Sequence, residues 1–287
     1  MKKSNATRLL TLITIILVMV SSLGACKNKE TTIRVMSYNI LHPNWCSTEE
    51  FVNVYDRDNI VTDIFNDYMP DVVGLQETSS VWHSALESIL ADEGVYDFAC
   101  RNTKEGKRNL TTFIYNTKKL KLVDEYVIDL YEVSDIRVLS VAVFETLDSK
   151  EQFVVTNTHP DVASREDAYK CDMYYLTKYA KQELEKYKDL PVILTGDFNT
   201  TEQSEYYTNF MTDTGVKDVK YEAETMAKNY NTFSGLRKPP KEGNTGCIDH
   251  IFVNDNVTVK LYDVVTDHNV ENASDHIPIY ADIVISK

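Results

Sequence analysis

Short apolar runs with the composition of buried strands recur along the chain, and they limit the fold more than any other feature of the sequence. Runs of this length predict strands, because a helix needs a longer stretch with apolar residues three or four positions apart. From residue 111 to residue 158 no long helical segment separates the runs, which favours antiparallel pairing there. The predicted strands cover residues 33–40, 72–76, 111–115, 120–128, 138–144, 153–158, 192–194, 248–253, 257–265 and 277–285.

Helical spacing of apolar residues appears between several of these strands. It occurs around Ile60, Ile64 and Tyr68, and again over residues 82–90. The clearest case is residues 165–187, where apolar side chains recur every three or four positions along one face of a helix. The sequence contains no internal repeat and no long linker. The pattern predicts one α/β domain with two packed, mixed or antiparallel sheets and helices on the outside.

The first 25 residues are predicted to be a signal segment. Three basic residues precede an apolar run over residues 9–20, which is shorter than the roughly 20 residues of a membrane-spanning helix. Residues 23–26, Leu-Gly-Ala-Cys, resemble a bacterial lipobox, in which the cysteine is lipidated. The alternative is a simple signal peptide followed by a chance cysteine. We expect a lipoprotein signal peptide at residues 1–25, a linker from lipidated Cys26 over residues 26–32 and the folded domain over residues 33–287.

The chain is strongly acidic, with 44 Asp and Glu residues against 30 Lys and Arg residues and a formal net charge of −14. Removing the signal segment takes away three positive charges and no negative ones, so the mature protein stands at −17. Proteins that hold duplex DNA normally present basic clusters, because Lys and Arg displace counterions from phosphates. The charge therefore disfavours a long nucleic acid as a partner. We expect the protein to be a monomer, exported and anchored by its lipid to a membrane of the bacterial cell envelope.

Polar side chains lie at the ends of the apolar runs. If the strands lie side by side, these ends converge on one rim of the sheets. A rim with several carboxylates and few bases suits a hard divalent cation such as Mg²⁺ or Mn²⁺. Such a cation reverses the local field, so an anionic substrate can bind despite the protein's own charge. The motifs are Asn39, Gln76-Glu77, Asn157-Thr158-His159, Gly196-Asp197-Phe198-Asn199, Ile248-Asp249-His250 and Ser274-Asp275-His276.

Taken in this order, with the first two extended to Ser37-Tyr38-Asn39 and Leu75-Gln76-Glu77, the motifs resemble those of the endonuclease/exonuclease/phosphatase superfamily. The match runs from about residue 33 to the end of the chain. The resemblance implies an α/β fold, a four-layered sandwich of two packed mixed β-sheets flanked by helices. It also implies metal-dependent hydrolysis of a phosphate ester, with Mg²⁺ as the cofactor and Mn²⁺ as the alternative.

The resemblance assigns a role to individual positions in these motifs. Glu77 would be the principal Mg²⁺ ligand, with Asn39 close to the metal or its waters. Asp275 would support the metal shell. Asp197 and Asn199 would orient the attacking water and a phosphate oxygen.

Three residues are central to the implied phosphate chemistry. Asp249 would pair with His276 and favour its imidazolium form. His276 would then either hold a phosphate oxygen or act as the general base. His159 would donate a hydrogen bond to the phosphate. The resemblance leaves the role of general base open between Asp197 and His276.

Four further residues are predicted substrate contacts. Asp161 and Arg165 continue the His159 motif in a way that resembles some family members. Arg137 opens a strand and could contact phosphate, although a surface ion pair explains it equally well. Tyr115 could approach the phosphate, although a tyrosine in a strand more often packs against its neighbours.

The predicted function is hydrolysis of small phosphate esters outside the cytoplasm, as a phosphodiesterase or a phosphatase. Sugar phosphates, lipid headgroups and nucleotides remain open as substrates, because one fold hosts many functions. Three alternatives remain: a secreted nonspecific endonuclease, a sphingomyelinase-like phospholipase and a surface lipoprotein that binds without turnover. The last is disfavoured because Glu77, Asp197, Asp249 and His276 are all present.

Overall fold

The computed structural model of the chain describes residues 30–45, 53–102, 109–130 and 137–285. The predicted signal peptide and the predicted lipidation site Cys26 lie outside these residues. Within the described part of the chain, no helix is both long enough and apolar enough to cross a membrane. Cys100, Cys171 and Cys247 carry free thiols.

The regular elements are mainly strands, with helices between some of them. The strands are β1 (Thr32–Asn39), β2 (Val72–Gln76), β3 (Tyr96–Ala99), β4 (Thr112–Asn116), β5 (Leu120–Asp129), β6 (Val138–Thr146), β7 (Gln152–Thr158), β8 (Val192–Asp197), β9 (Lys217–Asp218), β10 (Thr225–Met226), β11 (Asp249–Val253), β12 (Thr258–Val264) and β13 (Ile279–Val284). The α-helices are α1 (Asp58–Tyr68), α2 (Ser80–Glu93), α3 (Glu166–Lys186), α4 (Glu205–Thr214) and α5 (Val219–Glu222). Short 3₁₀ turns occupy Pro43–Trp45, Val54–Asp56 and Val270–Asn272.

The strands form two mixed sheets. The seven-stranded sheet has the order β10-β12-β13-β1-β2-β4-β3, and the six-stranded sheet has the order β5-β6-β7-β8-β11-β9. The pairs β1/β2, β10/β12 and β7/β8 are parallel, and the other described pairs are antiparallel. One hydrophobic core lies between the sheets and under α1 and α2, and a second lies between the six-stranded sheet and helices α3 and α4. The predicted α/β sandwich of two mixed sheets is confirmed.

Helix α3 agrees closely with the apolar pattern over residues 165–187. Its face carrying Tyr169, Met173, Leu176 and Ala180 is buried against the six-stranded sheet. The strands β3, β9 and β10 and the helix α4 were not among the predicted elements. Helix α4 buries only Tyr207 and Phe210, so its sequence shows little apolar periodicity, and it begins where Ser204 caps the backbone N–H of Tyr206.

Strand direction explains why the polar motifs meet at one edge of the sandwich. Parallel neighbours end at the same edge, which brings the carboxyl ends of β1 and β2 together, and those of β7 and β8. Strand β11 is antiparallel to β8, so its first residue, Asp249, lies opposite the last residue of β8, Asp197. Strand β13 is antiparallel to β1, so the residues before Ile279 also lie at this edge. This edge is called the motif edge below.

A polar contact joins the two sheets just below the motif edge. Gln76 donates a 2.7 Å hydrogen bond to the side-chain oxygen of Asn157, across the interface between β2 and β7. The amide of Asn157 in turn donates to the backbone carbonyls of Leu75 and Thr112. These groups are fully buried, and buried hydrogen bonds between the two sheets fix the position of one sheet against the other.

The same interface leads to a stability prediction at Gly74. A methyl group added there would lie 2.1 Å from the hydroxyl oxygen of Thr195 on the facing sheet. We expect Gly74→Ala to reduce the free energy of unfolding by about 1–3 kcal/mol, because an overpacked core must shift backbone or side chains. Urea denaturation measures this change, with the exposed Thr208→Ala as a control that should stay within about 0.5 kcal/mol of wild type. Equal stability of the two variants would contradict the close packing of the sheets.

Candidate active site

A cleft of about 570 Å³ lies at the motif edge between the two sheets. This volume falls in the range of small-molecule sites. The cleft takes residues from nearly every polar motif and also from the loops that flank them. Its lining comprises Leu41, Trp45, Glu77, Arg137, His159, Asp161, Val162, Arg165, Asp197, Asn199, Phe233, Ile248, Asp275 and His276.

The carboxylate of Asp197 is the point on which the site converges. Its Oδ2 atom accepts a 3.0 Å hydrogen bond from the amide of Asn39. The Nε2 atoms of His159 and His276 lie 3.4 Å and 3.5 Å from the same oxygen. Residues from β1, β8, the end of β7 and the segment before β13 therefore meet at one buried atom.

Glu77 lies beside this group at the end of β2. Its Oε1 atom accepts a 2.9 Å hydrogen bond from the Asn39 amide, and its Oε2 atom accepts a 2.6 Å bond from the backbone N–H of His42. Burial raises the pKa of the Glu77 carboxyl above its usual value, although these hydrogen bonds oppose the shift. The backbone of Glu77 is left-handed, with φ of +64°. Such backbone strain in a residue other than glycine is concentrated at functional sites.

Asp249 and His276 form a tightly bonded pair. The Nδ1 atom of His276 lies 2.8 Å from Asp249 Oδ2, and the Ser274 hydroxyl accepts a bond from the His276 backbone N–H. Burial lowers the pKa of His276, but the negative charges of Asp249 and Asp197 outweigh it and raise that pKa well above the usual value. His276 is therefore an imidazolium with a fixed ring orientation.

His159 has the opposite electrostatic character. Burial and the positive charge of Arg137 hold the pKa of His159 well below its usual value, with a further contribution from His276. The two histidines that face Asp197 therefore differ in charge: His159 is neutral and His276 is protonated. Paired titratable groups whose environments push their pKa values apart are a mark of acid–base sites.

Asp197 and Asn199 are joined by a tight turn after β8. The Asn199 backbone N–H donates a 2.9 Å bond to Asp197 Oδ1, and its side-chain amide donates to the carbonyl of Pro160. Asn199 is left-handed, with φ of +50°, a conformation that asparagine tolerates better than most residues. Burial raises the pKa of Asp197 to about 7, although His276 opposes the shift. A carboxyl group with a pKa of about 7 can accept a proton near neutral pH.

The donor set of the cleft fits a divalent cation. Asp197, Asp249 and His276 offer ligand atoms that all lie within 4.8 Å of one another, and the two carboxylates remain donors while His276 is protonated. Asp249 Oδ1 is buried without a hydrogen-bond partner among the described residues. Glu77 is a further buried carboxylate, and it accepts a hydrogen bond from the same Asn39 amide that bonds Asp197. The Asp275 side chain also lines the cleft. Oxygen-rich sites of this kind suit Mg²⁺ or Mn²⁺.

Three of the four predicted substrate contacts lie together on the His159 side of the cleft. The buried guanidinium of Arg137 donates to the His159 carbonyl and pairs with Asp161 at 3.2 Å. The Arg137 side chain is therefore not a surface ion pair. Arg165 reaches Asp161 at 3.4 Å from the exposed start of α3.

Tyr115 does not lie in this cleft, which corrects its prediction as a substrate contact. It pairs with Val72 at the start of β2, whereas Thr112 pairs with Leu75 near the motif edge. Its ring packs against Phe144 in the core, at a centroid distance of 5.2 Å. An antiparallel strand that reaches the site with one end must carry its other end away from it.

His250 is buried outside the cleft and has a structural role. Its ring is fully enclosed, with Nδ1 3.2 Å from Asp218 Oδ2 and Nε2 2.9 Å from the Thr200 carbonyl. It packs among the aromatic rings of the second core. Sequence reasoning missed Trp45, which lines the cleft, because a lone tryptophan after a proline in a loop shows no pattern.

The profile of the endonuclease/exonuclease/phosphatase family matches residues 36–276, which contain every motif of the site. The chain belongs to the endonuclease/exonuclease/phosphatase family. It is thus a hydrolase of the phosphoesterase class, and the metal dependence typical of the family agrees with the buried Asp-Asp-His group. No curated protein sequence matches the chain.

Solved structures share the fold. A family protein from Bacteroides vulgatus is 25% identical with a TM-score of 0.74, covering 89% of this chain and 100% of its own. The mannosyl-6-phosphatase of Bacteroides thetaiotaomicron is 24% identical with a TM-score of 0.73, covering 88% of this chain and 99% of its own. The catalytic domain of human nocturnin is 18% identical with a TM-score of 0.66, covering 90% of this chain and 97% of its own.

Proposed function

We propose that the protein is an exported, Mg²⁺-dependent phosphodiesterase or phosphatase that hydrolyses small phosphate esters outside the cytoplasm. The observation that carries this proposal is the convergence of Asn39, His159 and His276 on one oxygen of Asp197, next to the buried carboxylate of Glu77. Within one cleft, Asp197 can orient a water molecule and Glu77 can hold a cation. The imidazoles of His159 and His276 can bind phosphate oxygens.

Glu77, with Asn39 and Asp275 beside it, is the proposed holder of Mg²⁺. Cation binding at His276 is disfavoured because its Nδ1 atom is engaged by Asp249 and the ring is already positively charged. When bound, Mg²⁺ would supply electrostatic stabilisation of the negative charge that develops on the phosphate oxygens.

The charge of each remaining site residue determines its proposed role. Asp197 accepts the proton of the attacking water, since burial raises the pKa of its carboxyl to about 7. The backbone N–H of Asn199 bonds the Asp197 carboxylate and holds its orientation. His276, as an imidazolium fixed by Asp249, donates a hydrogen bond to a nonbridging phosphate oxygen. The neutral ring of His159 donates a second bond to the phosphate.

The size and charge of the protein favour a small substrate. A cleft of about 570 Å³ holds a ligand of the size of a sugar phosphate or nucleotide. The net charge of −14 repels an extended polyanion but has little effect on a single phosphate group next to a bound cation.

Metal removal tests the proposed reaction directly. We expect the purified chain to hydrolyse small phosphate esters with added Mg²⁺ or Mn²⁺, and to lose about 100-fold or more of this activity in EDTA.

A panel of substrates separates the proposed function from its alternatives. The panel is bis-p-nitrophenyl phosphate, p-nitrophenyl phosphate, inositol phosphates, sphingomyelin and plasmid DNA. Strongest activity on plasmid DNA would favour an endonuclease, and on sphingomyelin a phospholipase. Metal binding without turnover of any substrate would favour a binding protein.

The proposed location is tested by the mass of the N-terminus. We expect the protein purified from membranes to begin at Cys26 and to carry acyl groups there, and Cys26→Ser to release it from the membrane fraction. Intact-mass spectrometry reports the N-terminus and its acylation, and membrane fractionation reports the release, with Cys171→Ser as a control that should remain in the membrane fraction. An unmodified Cys26 in membrane-purified protein would contradict the lipid anchor.

A further inference from the structure

Trp45 is an exposed aromatic side chain in the wall of the cleft. It ends the short 3₁₀ turn Pro43–Trp45 and remains 44% exposed. The chain has two tryptophans, and the other, Trp82, is fully buried. A large apolar ring that stays exposed beside a catalytic centre is a surface for a ligand.

The neighbours of Trp45 hold its ring beside the phosphate-binding groups. The ring stacks on His42, with centroids 4.7 Å apart and planes at 28°. It meets His159 edge to face at 6.4 Å, and the Arg137 guanidinium carbon lies 6.0 Å from its centroid. His42 stacks on the Trp45 ring and the Arg137 guanidinium lies over it, so a ligand can contact the part of the ring that stays exposed to the cleft.

Polar groups that can bind hydroxyls lie on the same side of the cleft. The Arg165 side chain is 70% exposed, and its hydrogen bonds among the described residues go to Asp161 at 3.4 Å and 3.5 Å, the long limit for such bonds. Arg165 and the Oδ2 atom of Asp161 can therefore exchange this contact for a ligand at little loss, while Asp161 Oδ1 stays bonded to Arg137 and to the Val162 N–H. Together they offer donors and an acceptor within the cleft that Trp45 lines.

These features match one kind of alcohol. A sugar ring has an apolar face that packs on one aromatic ring, and its edge carries hydroxyls that both donate to carboxylates and accept from guanidinium groups. Resting on the phosphoesterase function proposed above, we propose that Trp45 and Arg165 form the binding site for the alcohol part of the substrate, and that this alcohol is a sugar. The substrate is then a sugar phosphate with its phosphate at His159 and His276 and its ring on Trp45.

The kinetic test compares three phosphate monoesters on the full chain with Mg²⁺: a hexose 6-phosphate, glycerol phosphate and adenosine 5′-monophosphate. We expect Trp45→Ala to raise KM for the hexose phosphate about ten-fold, well beyond its effect on glycerol phosphate, with a much smaller change in kcat. Trp45→Phe should restore most of the loss, and Arg165→Ala should also act mainly on the hexose phosphate. Tyr174→Ala, which removes a more exposed aromatic side chain on α3, should change none of these values.

Two kinetic results would overturn the assignment. An equal rise in KM for glycerol phosphate and the hexose phosphate would show that Trp45 supports the cleft without contacting the sugar. A larger effect on adenosine monophosphate would assign the platform to a nucleobase. In either case the phosphoesterase function would stand.

Tryptophan fluorescence tests the subsite even if no substrate is turned over. We expect the hexose 6-phosphate with Mg²⁺ to change the emission of the wild-type chain, and to leave Trp45→Phe, which retains only the buried Trp82, unchanged. Absence of a change in the wild type would overturn the sugar subsite, whereas binding without hydrolysis would overturn the catalytic proposal and retain the subsite.

Discussion

Glu77→Gln should leave a folded protein that hydrolyses phosphate esters at least about 100-fold more slowly than the wild type. Glutamine preserves the shape of the side chain but removes the negative charge proposed to hold Mg²⁺. Without metal, the variant should lose at most about 1–3 kcal/mol of stability, because its amide nitrogen replaces one of the two oxygens that accept from the Asn39 amide and the His42 N–H, while the burial cost of a charged carboxyl is removed. Phosphate-release kinetics and thermal unfolding measure the two effects.

The control for this change is Glu205→Gln at the exposed start of α4, which should retain full activity. Mg²⁺ should raise the unfolding temperature of the wild type and of Glu205→Gln but not that of Glu77→Gln. Wild-type turnover by folded Glu77→Gln would show that the cation, if required, is held elsewhere in the cleft.

Asp249→Asn should reduce the rate by about 100-fold or more and shift the pH dependence of what remains. The Asp249 carboxylate raises the pKa of His276, so its removal lowers that pKa. Because the imidazolium is the proposed active form, activity should be lost on the alkaline side at a lower pH than in the wild type. His276→Ala should lose activity to a similar extent, without the pH shift.

Asp218→Asn is the matched control, because Asp218 pairs with His250 in the same way outside the cleft. The Asp218 carboxylate also accepts a hydrogen bond from the buried Tyr207 hydroxyl, so this variant should lose stability while its pH profile stays that of the wild type. An unchanged pH profile in Asp249→Asn would show that His276 is not the titrating group of the reaction.

The layout of the fold could be predicted because its main elements carry strong local patterns. Strand β8 begins with the apolar run 192–194, and α3 shows a clear apolar face. The short strands β9 and β10 have two residues each and arise from tertiary pairing with β11 and β12, which no local pattern reports. The close approach of the sheets at Gly74 likewise depends on Thr195, which lies far away in the sequence.

The centre of the site was predictable because its residues belong to ordered motifs at strand ends. Asn39, Glu77, Asp197 and His276 lie together at the motif edge, and the roles that the family resemblance implies for them stay predictions. Tyr115 could not be placed in the same way, since a strand pattern gives the face of a residue but not which end of the strand reaches the site. Tyr115 lies three positions after Thr112, which in a strand is about 10 Å.

Crystals of the wild-type chain soaked with Mn²⁺ and inorganic phosphate test the central claim most directly. Anomalous diffraction should show a Mn²⁺ peak at about 2.1 Å from a Glu77 carboxylate oxygen, with phosphate between His159 and His276. A Mn²⁺ peak on His276 and Asp249, or phosphate bound outside this cleft, would contradict the account.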